Sequence, residues 1–338
     1  MNLSLLIACH LLNPGQPILV LKGLDPIELA QGKEVAGSTQ HTAVYCSHEY
    51  RFASKDNLAR FKTDPIRHAV QTGGACGKMG ALTGKGAPDR WAVVDGKIFL
   101  FASDGCRETF LKNKDAYFKP IPKPVPGTAQ EILRGKALFK EAGTAHGLDK
   151  VTLSSFEWAY ATKYKDDGRE KLWWEKAGYF GPQKMAIWSE WDAGRTYNVV
   201  DGKGAFEGVR DDVFPMHPDE ARAVRARVLR HPLGILVGSA LEVIRSDGPY
   251  RFVVRTGDIF REVWLDPKTK RIDQISYTDR RSGPVSDVET KFSDYTVVGG
   301  VWVPRSSQSR VDGGDWKPKA TAEYVKVNGP APDVFGMK

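Results

Sequence analysis

Tyr45-Cys46-Ser47-His48-Glu49-Tyr50-Arg51-Phe52-Ala53-Ser54, running on through Lys55 to Phe61 and stopping at Asp64-Pro65, decides how the first part of this chain is read. Side chains alternate along a strand, so a strand here sets the Cys46 thiol and the His48 imidazole on one face as a candidate pair of ligands. The outline returns downstream. Phe101-Ala102-Ser103 repeats Phe52-Ala53-Ser54, and Phe110 follows its triplet as Phe61 follows the first. Each copy predicts a strand, a turn through a hydroxyl residue, and a short helix pinned at its far end by the aromatic. Cys106 falls on the second helix, and Gly73-Gly74-Ala75-Cys76-Gly77 lies between the copies, so three thiols belong to one compact unit.

Cys46, His48, Cys76 and Cys106 are the candidate metal ligands, since thiolate and imidazole donors suit Zn, Cu or Fe. A disulfide, thiol redox chemistry and plain burial of small apolar cysteines remain alternatives. His41, His68 and Met79 are lesser candidates.

Gly23-Leu24-Asp25-Pro26, Gly32 to Gly37, the Tyr50 to Ser54 core, Phe61, Asp64-Pro65, Gly73 to Cys76 and Trp91 to Lys97 together resemble the YHS domain, over about residues 23 to 118. The resemblance implies a small α+β unit, related to treble-clef-like metal-sensing modules, that binds a metal ion.

The chain has 338 residues, enough for two cores, with 41% hydrophobic and 27% charged residues, as in ordinary globular proteins. Its net charge of +8 is scattered rather than clustered, which argues against nucleic acid as a partner and fits an anionic membrane surface equally well. Leu3 to Leu12 is apolar, too short to span a bilayer and long enough for the core of a signal segment. Leu6-Ile7-Ala8-Cys9 looks like a bacterial lipobox. Residues 1 to 22 are therefore expected to be a leader or lipid-anchored segment, placing the protein in the periplasm or cell envelope, although composition does not exclude the cytoplasm.

Lys119-Pro120-Ile121-Pro122-Lys123-Pro124-Val125-Pro126-Gly127 predicts an extended spacer between two domains. Thr128 and Glu131 then form a capping box opening a helix to about Lys140, with Ile132, Leu133, Leu138 and Phe139 on its buried side. From Phe156 the pattern is strands, among them 184–190, 195–200, 251–255, 261–265, 272–278, 289–295, 301–304 and 320–327, separated by turns such as Asp201-Gly202 and Gly299-Gly300. One helix interrupts them, from His217-Pro218-Asp219-Glu220 to about Arg230. Arg222, Arg225, Arg227 and Arg230 on it are expected to form a solvated face, with a lipid surface as the alternative.

The order of these elements, with Asp201-Gly202-Lys203-Gly204, Leu265 to Thr269, Phe292-Ser293-Asp294-Tyr295 and Val298 to Pro304, resembles the envelope lipoprotein-carrier superfamily over about residues 128 to 330. That resemblance implies a half-open β-barrel with helices on its concave side and an acyl chain as ligand. The expected architecture is α+β: a small YHS/treble-clef-like domain (23–118), a linker (119–127), and a curved antiparallel sheet, or half β-barrel, with helices on its concave side (128–338). Eight of the nine Trp lie after residue 150 and are expected to fill the sheet's core rather than line a lipid cavity.

No G-x-S-x-G, H-E-x-x-H or G-x4-G-K-[ST] motif is present; Gly84-Lys85-Gly86 lacks the hydroxyl that would hold Mg²⁺, and Asp219-Glu220 reads as a helix start. The expected function is a non-catalytic envelope protein that binds a metal ion and a lipid or acyl chain. The alternatives are a thiol redox enzyme using Cys46 or Cys106, and a partner-binding module without ligand.

Overall fold

The computed structural model describes residues 17–82, 84–166, 169–191, 194–209, 212–237, 241–280 and 284–336. The apolar stretch with Cys9, and Asp167-Gly168 where the sequence predicts a turn, lie outside them.

The N-terminal unit comprises β1 (Ile18–Leu19), α1 (Pro26–Leu29), β2 (Ser38–Tyr45), β3 (His48–Phe52), α2 (Lys55–Thr63), α3 (Pro65–His68), β4 (Ala87–Val94), β5 (Lys97–Phe101), α4 (Asp104–Lys112) and α5 (Lys114–Phe118). The repeat is longer than its triplets: a hairpin and a helix recur at an offset of 49 residues, from Phe52 to Phe101. Even the irregularity recurs, since the register shifts between Ser38 and Thr42 in one hairpin and between Ala87 and Trp91 in the other. The expected helices form for the expected reason. Ser54 accepts from the Asn57 amide at 3.1 Å and Ser103 from the Cys106 amide at 3.2 Å, satisfying backbone donors that a helix start leaves open. Phe61 and Phe110 pin the far ends, 5.0 Å and 5.2 Å from the rings of Phe52 and Phe101. The opening stretch is not one strand, however. Cys46 and Ser47 are a two-residue turn with φ of 49° and 62°, matching Asp95 and Gly96 at 52° and 71°. The shared strand face expected for Cys46 and His48 does not exist, because the chain reverses between them.

Residues 119–127 run extended, as the alternating prolines dictate, but they are strapped down rather than free. Arg280 donates to the Lys119 carbonyl at 2.7 Å, Arg245 to that of Val125 at 2.6 Å, and the Gly127 amide to that of Ile244 at 3.1 Å.

Beyond them α6 (Ala129–Ala145) opens with the reciprocal Thr128–Glu131 cap and runs past Lys140. Its inner stripe is Gly135, Leu138 and Ala142; Leu133, expected inside, is 71% exposed because it lies off that stripe. The strands follow as β6 (Phe156–Asp166), β7 (Arg169–Tyr179), β8 (Met185–Trp191), β9 (Gly194–Asp201), β10 (Gly204–Val209), β11 (Asp212–Pro215), then α7 (Pro218–Leu229) and α8 (Pro232–Val237). The second set is β12 (Leu241–Ser246), β13 (Arg251–Thr256), β14 (Ile259–Leu265), β15 (Ile272–Asp279), β16 (Ser286–Val298), β17 (Val301–Val311), β18 (Ala320–Thr321) and β19 (Tyr324–Val327).

These strands make two seven-stranded antiparallel sheets rather than one, ordered β11-β10-β9-β8-β7-β6-β19 and β12 through β18 in sequence. The strand expected over 320–327 is divided between them: Ala320 pairs with Ser307 in the second sheet, and Tyr324 with Ala159 in the first. Helices fill the trough between the sheets. Ala221, Val224, Val228, Leu229 and Leu233 join Phe156, Trp158, Met185 and Ile187 of the first sheet and Val301 and Val303 of the second in one core. Leu138 and Ala142 of α6 pack with Phe252, Val254 and Val263. Each aliphatic side chain fully buried in this way stabilises by about 1.5–3 kcal/mol, so α7 is held by packing more than by helix propensity.

Candidate functional site

The four predicted ligands separate into two pairs. Cys46 and His48 sit at the first hairpin turn, where His48 Nδ1 donates to the Cys46 carbonyl at 2.7 Å. Cys76 instead lies among Phe99, Phe101, Phe110 and Tyr117, with Met79 and Cys106 packed against the same cluster. Its sulfur accepts from the Ala102 amide at 3.3 Å. Among the described residues no three of His, Cys, Asp and Glu gather closely enough to hold a metal ion. Nor is Cys46 an activated nucleophile. Burial, with Glu220 and Glu207 close by, pushes its thiol up to about 12, away from the reactive thiolate. Burial likewise raises Cys76.

What the first hairpin turn does meet is a charged seam against the strand domain. Lys85 Nζ spends its three protons on the Gly73 carbonyl at 2.8 Å, Glu207 at 2.8 Å and Glu220 at 3.1 Å. The Ser47 hydroxyl lies 2.9 Å from the other Glu207 oxygen. Burial alone would lower Lys85, but the two carboxylates outweigh it and hold the ammonium above its usual value. One cation serves two acids, and the protonation pattern reflects that: burial, reinforced by Glu207 against the pull of Lys85, pushes Glu220 up to about 7. Gly73 and Gly74 let the backbone approach. A Cβ at Gly73 would lie 2.0 Å from Glu220 Oε2, and one at Gly74 would lie 2.3 Å from His48 Cε1. None of Lys85, Glu207 or Glu220 stood out in the sequence as a site residue. A lysine between glycines and a second acid in a helix's first turn were the only signals.

Glu220 begins α7, and the rest of that helix forms one wall of a cavity of about 480 Å³, a size typical of small-molecule sites. The pleat fixes another wall: Ile275, Tyr277 and Asp279 share one face of β15, continued across the sheet by Thr290 and Phe292 and by Ser307 and Ser309. The N-terminal unit closes the space with Leu82, Phe99, Phe110 and Phe118. Trp158 reaches it as well, stacked 4.6 Å from His231, whereas Trp173 and Trp188 serve the core as expected.

The arginines of α7 do not form the solvated face expected of them. Arg222, Arg227 and Arg230 line the cavity and Arg225 alone of the four is exposed, because this helix is buried nearly all round. Arg222 bonds Asp279 at 3.0 Å and Asp258 at 2.5 Å. Arg230 bonds the other Asp279 oxygen and lies over the Tyr277 ring, 3.7 Å from its centroid. Burial would raise Asp279, but these guanidiniums, Arg230 foremost, hold its carboxyl below the usual range.

No family model matches the chain, so the YHS resemblance of residues 23 to 118 has no such match behind it, and no curated protein matches either. Solved structures do superimpose on part of it. A LolA superfamily protein from Nitrosomonas europaea is 12% identical, with 60% of this chain covering 97% of that one at a TM-score of 0.39. A DUF1329 family protein from Desulfovibrio piger is 10% identical, with 61% of this chain covering 99% of that one at a TM-score of 0.36. At these scores the overlap does not establish a common fold. No helix among the described residues is long and apolar enough to cross a membrane.

Proposed function

We propose that this chain is a non-catalytic carrier of a hydrophobic ligand such as an acyl chain, working in the cell envelope. One observation carries the reading: the N-terminal unit, α7 and both sheets border an open cleft of about 480 Å³ whose lining includes Leu82, Phe99, Phe110, Trp158, Ile275 and Phe292. The aromatic and aliphatic part of this lining offers a surface along which a long apolar guest can lie. The envelope location is supported by the apolar stretch Leu3 to Leu12.

Ala223 lines the cavity from α7, so Ala223→Phe fills it without adding charge. Organic extraction of gently purified protein, followed by mass spectrometry, should yield a hydrophobic compound near one per chain, and the variant should lose at least most of it. A wild-type protein that carries nothing, and does not bind any of a graded series of alkyl chains, would overturn the reading.

A further inference from the structure

Five cationic side chains, Lys97, Arg222, Arg227, Arg230 and Arg280, line this cavity, against two carboxylates, Asp219 and Asp279. Asp279 is already committed to both Arg222 and Arg230. Behind Arg230 stands Arg261, only 1% exposed, whose guanidinium donates to neutral acceptors: the Leu229 carbonyl at 2.9 Å and the Thr256 hydroxyl at 2.6 Å. Burial and the nearby charge of Arg230 push Arg261 down to about 9, still protonated at neutral pH. Arg230 thus shares Asp279 with Arg222, while the bonds of Arg261 go to a carbonyl and a hydroxyl. On the cavity side the cationic side chains outnumber the carboxylates, and an anion bound there would balance them.

Apart from Lys97, the cations are also gathered on one side. Arg222, Arg230, Asp279 and Arg280 belong to α7 and the end of β15, beside the hydroxyls of Thr290 and Ser309, which bond each other at 2.9 Å. The opposite wall, from the N-terminal unit, is largely aromatic, with Phe99, Phe110 and Phe118. The neighbouring groove under residues 121–124 has no such excess: Arg222, Arg230 and Arg261 there face Asp258, Glu262, Asp287 and Glu289.

We infer that the guest is an amphiphilic anion, a single acyl chain ending in a carboxylate or phosphate, whose head sits against Arg222, Arg230 and Arg280 and whose tail lies along the aromatic wall. This rests on the carrier reading above and specifies its ligand class. Guanidinium binds both head groups through paired N–H donors, so the two sources share one chemistry.

The test compares three probes of equal chain length, hexadecanoate, hexadecyl phosphate and hexadecanol, by displacement of a fluorescent fatty acid at low and high salt. The expected result is that at least one anion binds about ten-fold or more tighter than the alcohol, equivalent to about 1.4 kcal/mol. The gap should shrink in Arg230→Gln and in the double variant Arg280→Gln with Lys97→Gln. The double variant alters exposed side chains, so it remains informative if Arg230→Gln fails to fold. Preference for the carboxylate indicates free fatty acids, preference for the phosphate indicates lipid head groups, and either supports the inference. Equal affinity for all three probes overturns the head-group inference and leaves the carrier reading standing. Binding of none by folded protein overturns both.

Discussion

The two hairpin–helix copies of the N-terminal unit share their register, their caps and their pinning aromatics, yet differ at the tip. The second turns through Asp95-Gly96, a pairing that accepts left-handed backbone readily, and a Cβ at Gly96 would meet nothing nearer than the Ala30 carbonyl at 3.9 Å. The first turns through Cys46-Ser47, neither of which favours that conformation, and Cys46 is 1% exposed. Local preference shapes the free tip; tertiary contact shapes the other. The Ser47 hydroxyl on Glu207 and the His48 ring under Gly74 hold the first turn against its own sequence. Backbone strain thus marks which hairpin tip is pressed against the strand domain.

Breaking that contact should have the largest effect. Lys85→Met removes the cation between Glu207 and Glu220 and should destabilise by about 3–5 kcal/mol, since it strands buried carboxylates. Lys97, which holds the His48 position in the second copy, is exposed, and Lys97→Met should stay within about 0.5 kcal/mol. Urea denaturation of the two variants measures the contrast.

Acid should come next. Burial lowers His48 and His146 to about 4 and His231 to about 3, and it lowers His217 as well. Each binds protons more weakly folded than unfolded, so its stabilisation is complete above pH 6.5 and declines as pH falls toward 4, by up to about 1.4 kcal/mol per pH unit for each ring. Glu220, raised to about 7, has the opposite sign and gains over pH 7 to 4.5. Three rings with resolved values against one carboxyl predict a net loss, visible as a lower urea midpoint at pH 5 than at pH 7. His48→Gln should flatten that slope, and an unchanged slope would remove His48 from the seam's acid response.

Backbone substitutions separate the two copies as well. Gly74→Ala combines a φ of +77° with a Cβ 2.3 Å from His48, and should cost about 2–4 kcal/mol, in the range of overpacked cores. Gly96→Ala meets only the left-handed penalty, about 1 kcal/mol. Ser47→Gly, in which two opposed effects partly offset, should cost less than Gly74→Ala. It relieves about 1–2 kcal/mol of left-handed backbone strain and forfeits a hydrogen bond to a carboxylate worth about 1.5–3 kcal/mol. A net stabilisation, read in the same denaturation assay, would show that the Glu207 contact contributes little.

What the sequence displayed well was local chemistry. Thr128 with Glu131, His217 before Pro218, and the Asp201-Gly202 and Asp266-Pro267 turns each announce themselves within a few residues. Asp266 accepts from the Thr269 amide at 2.6 Å and Asp201 from that of Lys203 at 2.7 Å. The candidate site was mostly hidden, because it is assembled from distant parts. Lys85 meets Glu207 and Glu220 across separations of 122 and 135 residues, and no pattern near Gly84-Lys85-Gly86 reveals them. The burial of the α7 arginines is hidden for a related reason: charge on a helix suggests solvent unless both flanking layers are known. Strand β7 escaped notice because Lys171, Glu175 and Lys176 interrupt its apolar residues.

One further consequence comes from the division of residues 320–327 between the sheets. Arg305 clamps the crossing, donating to the Ala322 carbonyl at 2.7 Å and that of Glu323 at 2.9 Å. The edge strand β6 gains its outer neighbour only when Tyr324–Val327 arrives, long after Phe156 has left the ribosome. Until then β6 presents open amides and carbonyls, the surface through which sheets join the wrong partner. Synthesis order therefore makes the late-arriving strand a guard against aggregation, and the first sheet is among the last parts of the molecule to be completed.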